Sequence, residues 1–314
     1  MIYRLSKLSI LKSKLSTPIL TSNLNQFGLK LRNFHLSKME SVSEAARGWS
    51  NPGVSNIYEK TRPDYNLDSV EFLLEKVGAL KPHLGPEPFT IVELGAGTGK
   101  FTRAVLKVFE KHAVKNFKII ATEPLREMCE KFKEMVPNVE ILQCPASDLE
   151  GLTNNSVDCI LAATSFHWFY KDQKAIEEIH RVLKPKAMLG LIWYLPDRSV
   201  SWIKNIEEML DPKYEALKFG INTYDEKALI PLRDHGGFVN EGADVTSYTY
   251  TQEFSLTDVI DRYKGKSVVA AAQGAEKELM LKAIEQEMKT NPETKNEEKY
   301  IFKFLKKLHW FQKI

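Results

Sequence analysis

One stretch of the chain gathers residues able to do chemistry. Val92-Glu93-Leu94-Gly95-Ala96-Gly97-Thr98-Gly99-Lys100-Phe101-Thr102 sets three glycines at alternate positions behind an acid. Glycines so spaced permit a tight turn and let a ligand approach the backbone where a Cβ would collide; close helix–sheet packing is the plainer use. A dinucleotide fingerprint would need glycine where Lys100 stands. A P-loop would need glycine in place of Leu94 and Ser or Thr in place of Phe101. Both readings fail on named residues. Glu123 closes a strand-like run 24 residues beyond Gly99, where a carboxylate can accept two hydrogen bonds from a ribose diol; a surface acid is the alternative. His167 is the candidate general base, because imidazole titrates near neutral pH; otherwise it is a structural histidine hydrogen-bonded beside Trp168. Cys129, Cys144 and Cys159 lie 15 apart with no CxxC, which argues against a metal site or a disulfide scaffold and for buried thiols.

The elements that must hold these residues read as alternating strands and helices. Strand-like runs occupy 89–94, 117–122, 139–142, 157–162 and 187–193, with helical periodicities near 100–111, 125–135 and 172–183 between them. Continuous apolar strands alternating with helices imply a doubly wound parallel sheet, whose ligands bind beyond the carboxyl ends of the strands. Residues 43–80 read as two helices forming a lid. Beyond the core, 202–240 reads as helical and irregular, 244–254 as a strand, 256–289 as helical and 300–312 as a final strand. The expected organisation is a leader over 1–41 and one domain over 42–314, with a core of about 85–195 and cap insertions at 43–80 and 195–290.

The acid-x-Gly-x-Gly-x-Gly loop, together with the segments downstream of it, resembles the class I S-adenosylmethionine-dependent methyltransferases over about 100 residues. Cys144-Pro145-Ala146-Ser147-Asp148 is similar to that family's adenine-binding segment, in which Ser147 and Asp148 would contact the base. Ala163-Thr164-Ser165-Phe166-His167-Trp168-Phe169, followed by Arg181-Val182-Leu183-Lys184-Pro185, resembles its small-molecule branch of trans-aconitate-type and ubiquinone-type enzymes. Tyr58-Glu59-Lys60-Thr61-Arg62-Pro63-Asp64-Tyr65 is similar to the segment that folds over the cofactor there. The resemblance implies an α/β fold with a doubly wound, mostly parallel seven-stranded Rossmann-like sheet and helical N- and C-terminal caps. It also implies S-adenosylmethionine held by Glu93, Gly95, Ala96, Gly97, Gly99, Glu123, Ser147, Asp148, Tyr58 and Arg62. Arg62 would offer paired donors to the methionine carboxylate, or lie on a solvated helix face. Trp168, Phe169 and Trp193 would line the acceptor pocket, Trp193 being equally a core residue. The expected reaction is methyl transfer to a small carboxylate, hydroxyl, phenol or quinone-type carbon. Where the family has two glycines after Lys184-Pro185, this chain has Lys186-Ala187. That departure leaves open a non-catalytic methyltransferase-fold assembly factor.

The net charge of +3 misleads about partners. Residues 1–39 carry seven basic side chains and no acid; without those seven, 37 basic residues face 41 acidic ones, a net of −4. The basic balance therefore reports the leader, not a nucleic-acid-binding face. The Asp/Asn-Pro-Pro-Tyr/Phe motif of amino-methylating enzymes is also absent after the fourth strand, so nucleic acid is not the expected partner. The leader, rich in Lys, Arg, Ser and Leu, reads as a mitochondrial transit segment. Arg32-Asn33-Phe34-His35-Leu36-Ser37 resembles the two-step processing pattern, which would start the mature matrix protein near Val42. Translation from Met39 would instead leave a cytoplasmic protein. No apolar run reaches the roughly 18 to 20 residues of a membrane span, and oligomeric state is not legible.

Overall fold

The computed structural model describes residues 49, 51, 53–83, 85–216, 226–245 and 249–314. The leader with its processing pattern and Met39 lies outside the described residues, as do positions 43–48 of the lid and 217–225 of the second cap.

Two helices precede the sheet, α1 (Val54–Thr61) and α2 (Leu67–Lys76). The side chain of Asn66 caps α2 by accepting from the Ser69 N–H, and Val70, Leu73 and Leu74 form its fully buried stripe. Each of the two leucines contributes roughly 1.5–3 kcal/mol by leaving water. Five strands then run parallel: β1 (Phe89–Leu94), β2 (Phe117–Thr122), β3 (Glu140–Leu142), β4 (Val157–Ala163) and β5 (Leu183–Pro196). Between them lie α3 (Lys100–Lys111), α4 (Arg126–Met135) and α5 (Gln173–Val182). Ile91 and Cys159 face one apolar layer, Val92 and Ile160 the other. Both faces of the sheet are covered, which is why these strands are apolar without alternation.

After β5 come α6 (Ser201–Ala216), a short α7 (Ile230–Asp234), β6 (Phe238–Asp244) and β7 (Thr249–Phe254). Three helices follow, α8 (Leu256–Lys264), α9 (Ser267–Ala271) and α10 (Gly274–Thr290), and β8 (Tyr300–Lys313) ends the chain. The strand order is β3-β2-β1-β4-β5-β8-β6, with β7 also paired to β8. β8 runs antiparallel between β5 and the β6–β7 edge.

Eight strands fill the seven expected positions. β6 pairs with residues 308–313 of β8 and β7 with 300–305, so the two lie end to end on one edge. Only the second of them is legible in the sequence, because β6 is exposed at most of its positions and shows no apolar alternation. The helical run 256–289 is three helices. Gly265 caps α8, and the chain is extended at Ala272 before Gly274 turns at a φ of +54°. Among the described residues, no helix is long and apolar enough to cross a membrane.

Candidate functional site

The glycine turn joins β1 to α3 at the carboxyl edge of the sheet. Gly95, Gly97 and Gly99 take φ values of +66°, +56° and +85°, a region that other residues occupy at a cost of roughly 1–2 kcal/mol. Their surroundings separate the three. A Cβ on Gly95 would lie 2.7 Å from Ser165 Cβ, and one on Gly99 2.6 Å from Val136 Cγ2, so both serve chain-to-chain packing. At Gly97 the nearest atom is Tyr58 Cε1 at 3.9 Å. Gly97 is therefore where the backbone stays bare. Ala96 packs beneath the loop with Phe132 and Val136.

Two buried acids flank this turn and differ in their use. Glu93, 3% exposed, accepts from Thr102 Oγ1 at 2.6 Å, which braces β1 against α3. Burial pushes its pKa up to about 8, the Thr102 bond opposing. It turns inward to α3. Glu123 accepts from the Gly97 N–H and the Leu125 N–H, each at 3.0 Å. Burial raises it to about 7 although both bonds favour the charged form. Each of its oxygens keeps acceptor capacity for a diol. Ser147 (buried) and Asp148 (half-buried) sit in the turn beyond β3, where the Asp148 N–H donates to Pro145 O.

The lid helix is fastened to the glycine loop through Glu59, which accepts from Thr98 Oγ1 and Arg103 Nη2. Lys100, the residue that breaks the dinucleotide pattern, pairs with Asp64 at 2.8 Å. These contacts hold Tyr58 over Gly97 and set the Arg62 guanidinium 5.1 Å from the Tyr58 ring centre. Trp49 stands edge-on to Tyr58 and Trp168, at 5.6 and 5.2 Å between ring centres.

Beside them opens a cleft. Tyr58, Arg62, Thr164, His167 and Trp168 line one side, while Tyr214, Lys266 and Ser267 come from the C-terminal cap. Thr164 has a φ of +50°, rare for a β-branched residue. Its N–H donates to Ile192 O at 2.7 Å and its hydroxyl accepts from Tyr65 at 3.3 Å, so the surroundings hold the strain.

His167 reads differently from a base. Trp193 Nε1 donates to its Nδ1 at 3.3 Å, and an indole can only donate, so the ring proton sits on Nε2. Burial, with Arg62 adding repulsion, pushes its pKa down to about 3. A neutral imidazole carrying Nε2–H donates a hydrogen bond; it does not collect a proton. Trp193 is fully buried and orients His167 instead of lining the cleft. Phe169 likewise packs edge-on to Phe166, 5.3 Å between ring centres, within the core layer.

Sequence reasoning missed the cap side of the site. Lys266 is buried and bonded to Glu207, which also accepts from Tyr263 Oη at 3.1 Å. Burial lowers the Lys266 pKa to about 8 against the pull of Glu207. Arg262, 3% exposed, lies over the Phe302 and Phe304 rings at 4.4 and 4.5 Å. A signal existed: Glu207 interrupts the apolar stripe Ile203, Ile206, Leu210 of α6, and an acid on an apolar face calls for a partner. Cys129 and Cys159 are free, with thiol pKa values raised by burial, so they are unreactive.

Residues 92–191 match the family described as a methyltransferase domain. An uncharacterized methyltransferase of Schizosaccharomyces pombe is 30% identical over 250 residues, covering 79% of this chain and 90% of its own. Two solved structures share the fold. One is a putative type II methyltransferase from Anaeromyxobacter dehalogenans, with a TM-score of 0.50 and 19% identity over 79% of this chain and 97% of that one. The other is a putative antibiotic-pathway methyltransferase from Anabaena variabilis, with a TM-score of 0.51 and 15% identity over 81% of this chain and all of that one. Family match, long-range relative and sheet order agree: the chain belongs to the class I S-adenosylmethionine-dependent methyltransferases.

Proposed function

We propose that the chain transfers a methyl group to an oxygen or carbon of a small-molecule acceptor bound in the aromatic cleft beside Gly97. The observation that carries this reading is the placement of Tyr58, which both covers the bare Gly97 backbone and lines the cleft. Its lining, aromatic rings with a few polar groups, is of the kind that takes a small molecule. S-adenosylmethionine, when bound, supplies an electrophilic methyl on a sulfonium.

The residues fit that cofactor. Gly97 offers approach without a Cβ, Glu123 can take the ribose diol, and Ser147 and Asp148, in the turn beyond β3, are the candidates to contact the base. Trp168 and Tyr58 line the cleft with aromatic rings, the kind of side chain that attracts a sulfonium. The chain's own work is then to align acceptor and methyl and to keep water out. His167 orients an acceptor oxygen from Nε2. The acidic body of 37 basic against 41 acidic residues supports an acceptor other than nucleic acid.

The test is incubation of the full chain with methyl-labelled cofactor and a metabolite extract containing nucleic acid and protein. Label should enter low-molecular-mass material. Label confined to nucleic acid or protein would sink the proposal. The basic leader, with no acid before Glu40, supports a place in the mitochondrial matrix. Residues 1–41 fused to a fluorescent protein should carry it there, and a diffuse cytoplasmic signal would overturn that placement.

A further inference from the structure

Three cations meet at the cap side of the cleft. Arg62 and Lys266 line it, and Arg262, one helical turn before Lys266, is buried within electrostatic reach of both. Glu207 bonds to Lys266 and attracts Arg262 through space, one carboxylate against three cations. Neighbouring acids are committed elsewhere: Glu59 to Thr98 and Arg103, Asp261 to Lys60 and Lys264. Arg62 Nε and Arg262 Nε and Nη1 are buried with no hydrogen-bond partner among the described residues. Buried guanidinium donors without acceptors are costly. Tyr58 and Tyr214 stay neutral, since burial raises both.

Among the described residues that line the cleft none is an acid, and Lys266 is committed to Glu207. His167 keeps its proton on Nε2 with Nδ1 occupied, Glu93 is bound to Thr102 and Glu123 to two backbone N–H groups. An acceptor already ionised at neutral pH needs no base. Transfer to a carboxylate oxygen forms one O–C bond as the S–C bond breaks, its electron pair passing to sulfur, and releases no proton.

We infer that the cleft takes an acceptor bearing a free carboxylate, anchored by Lys266 and Arg62, with the Lys266–Glu207–Tyr263 network setting the specificity for an acid. The inference rests on the methyl-transfer reading above and names its acceptor class. The rival occupant of Arg62 is the carboxylate of the cofactor itself, so the test fills that position first.

Full-length protein saturated with S-adenosylhomocysteine is titrated calorimetrically with a panel of aliphatic and aromatic mono- and dicarboxylic acids, and with their methyl esters. At least one acid should bind, about tenfold or more tighter than its ester. Lys266→Met combined with Glu207→Gln removes both members of the buried pair, so neither is left without the other. That variant should lose the acid by about tenfold or more while holding S-adenosylhomocysteine within about twofold. Esters equal to acids, no acid binding at all, or a variant that loses S-adenosylhomocysteine instead would each overturn the inference. Failure of folded wild type to bind S-adenosylhomocysteine would overturn the methyl-transfer reading instead.

Discussion

Burial gives the ionisable side chains of this site protonation states unlike those in water. His167 is held neutral, its pKa pushed to about 3, so the pH profile of kcat should show no limb near the usual imidazole value of about 6.5. A limb there that vanishes in His167→Asn would restore the base reading. Glu93 and Glu123 carry pKa values raised to about 8 and about 7. An acid whose folded pKa is raised binds more protons in the native state than in the unfolded one. Their contribution to stability is therefore full below about pH 4.3 and is lost as pH rises through about 7 to 8. Denaturant midpoints of the cofactor-free protein should decline over that window, and Glu93→Gln should flatten the decline; an unchanged slope contradicts the burial argument. The glycine loop, Glu123 and the Phe166–Phe169 stretch were legible in the sequence because each lies within a few residues of a strand end. Of the cap residues only Glu207 left a signal, on the apolar stripe of α6; Arg262 and Lys266 take their meaning only where residues 262–266 meet α6. The Trp193–His167 bond, 26 residues apart in sequence, depends likewise on the β4–β5 pairing.

Among the elements, the five parallel strands and their helices announced themselves by apolar runs, whereas β6 and the breaks between α8, α9 and α10 did not. Those parts are specified by caps and edge pairing with little apolar periodicity. An irregularity near the start of β5 shows the same local specification. Lys186 sits at a φ of +65° where the family has glycine, which strains a residue with a Cβ by roughly 1–2 kcal/mol. Lys186→Gly relieves that strain but frees the unfolded chain, so it should stabilise by about 0.5–1 kcal/mol. Thermal denaturation reads this directly, and a loss of stability would mean that the side chain contributes more than its backbone costs. The strain at Lys186 is local to this stretch of β5.

Across the described molecule, two caps meet over the carboxyl edge of the sheet. Lys60 of α1 pairs with Asp261 of α8 at 3.2 Å, and Arg62 donates to Gly265 O at 3.4 Å. The Lys60 pair is exposed and worth little. A ligand held between the caps should tighten both. Hydrogen exchange should slow in 54–61 and 256–271 when S-adenosylhomocysteine is added. At a hundredfold excess over Kd the native state gains about 2.7 kcal/mol, a rise in Tm of roughly 5 to 10 °C. Exchange unchanged in both segments would show that the caps take no part in binding.

The central claim is that the bare Gly97 backbone and the Glu123 carboxylate form the cofactor site, and calorimetric titration of the full chain with S-adenosylmethionine tests it most directly. Wild type should bind one equivalent, and Glu123→Ala, deprived of a carboxylate worth about 1.5–3 kcal/mol, should bind about tenfold or more weakly. A folded wild type that does not bind, or a variant that binds as tightly as wild type, would contradict the account.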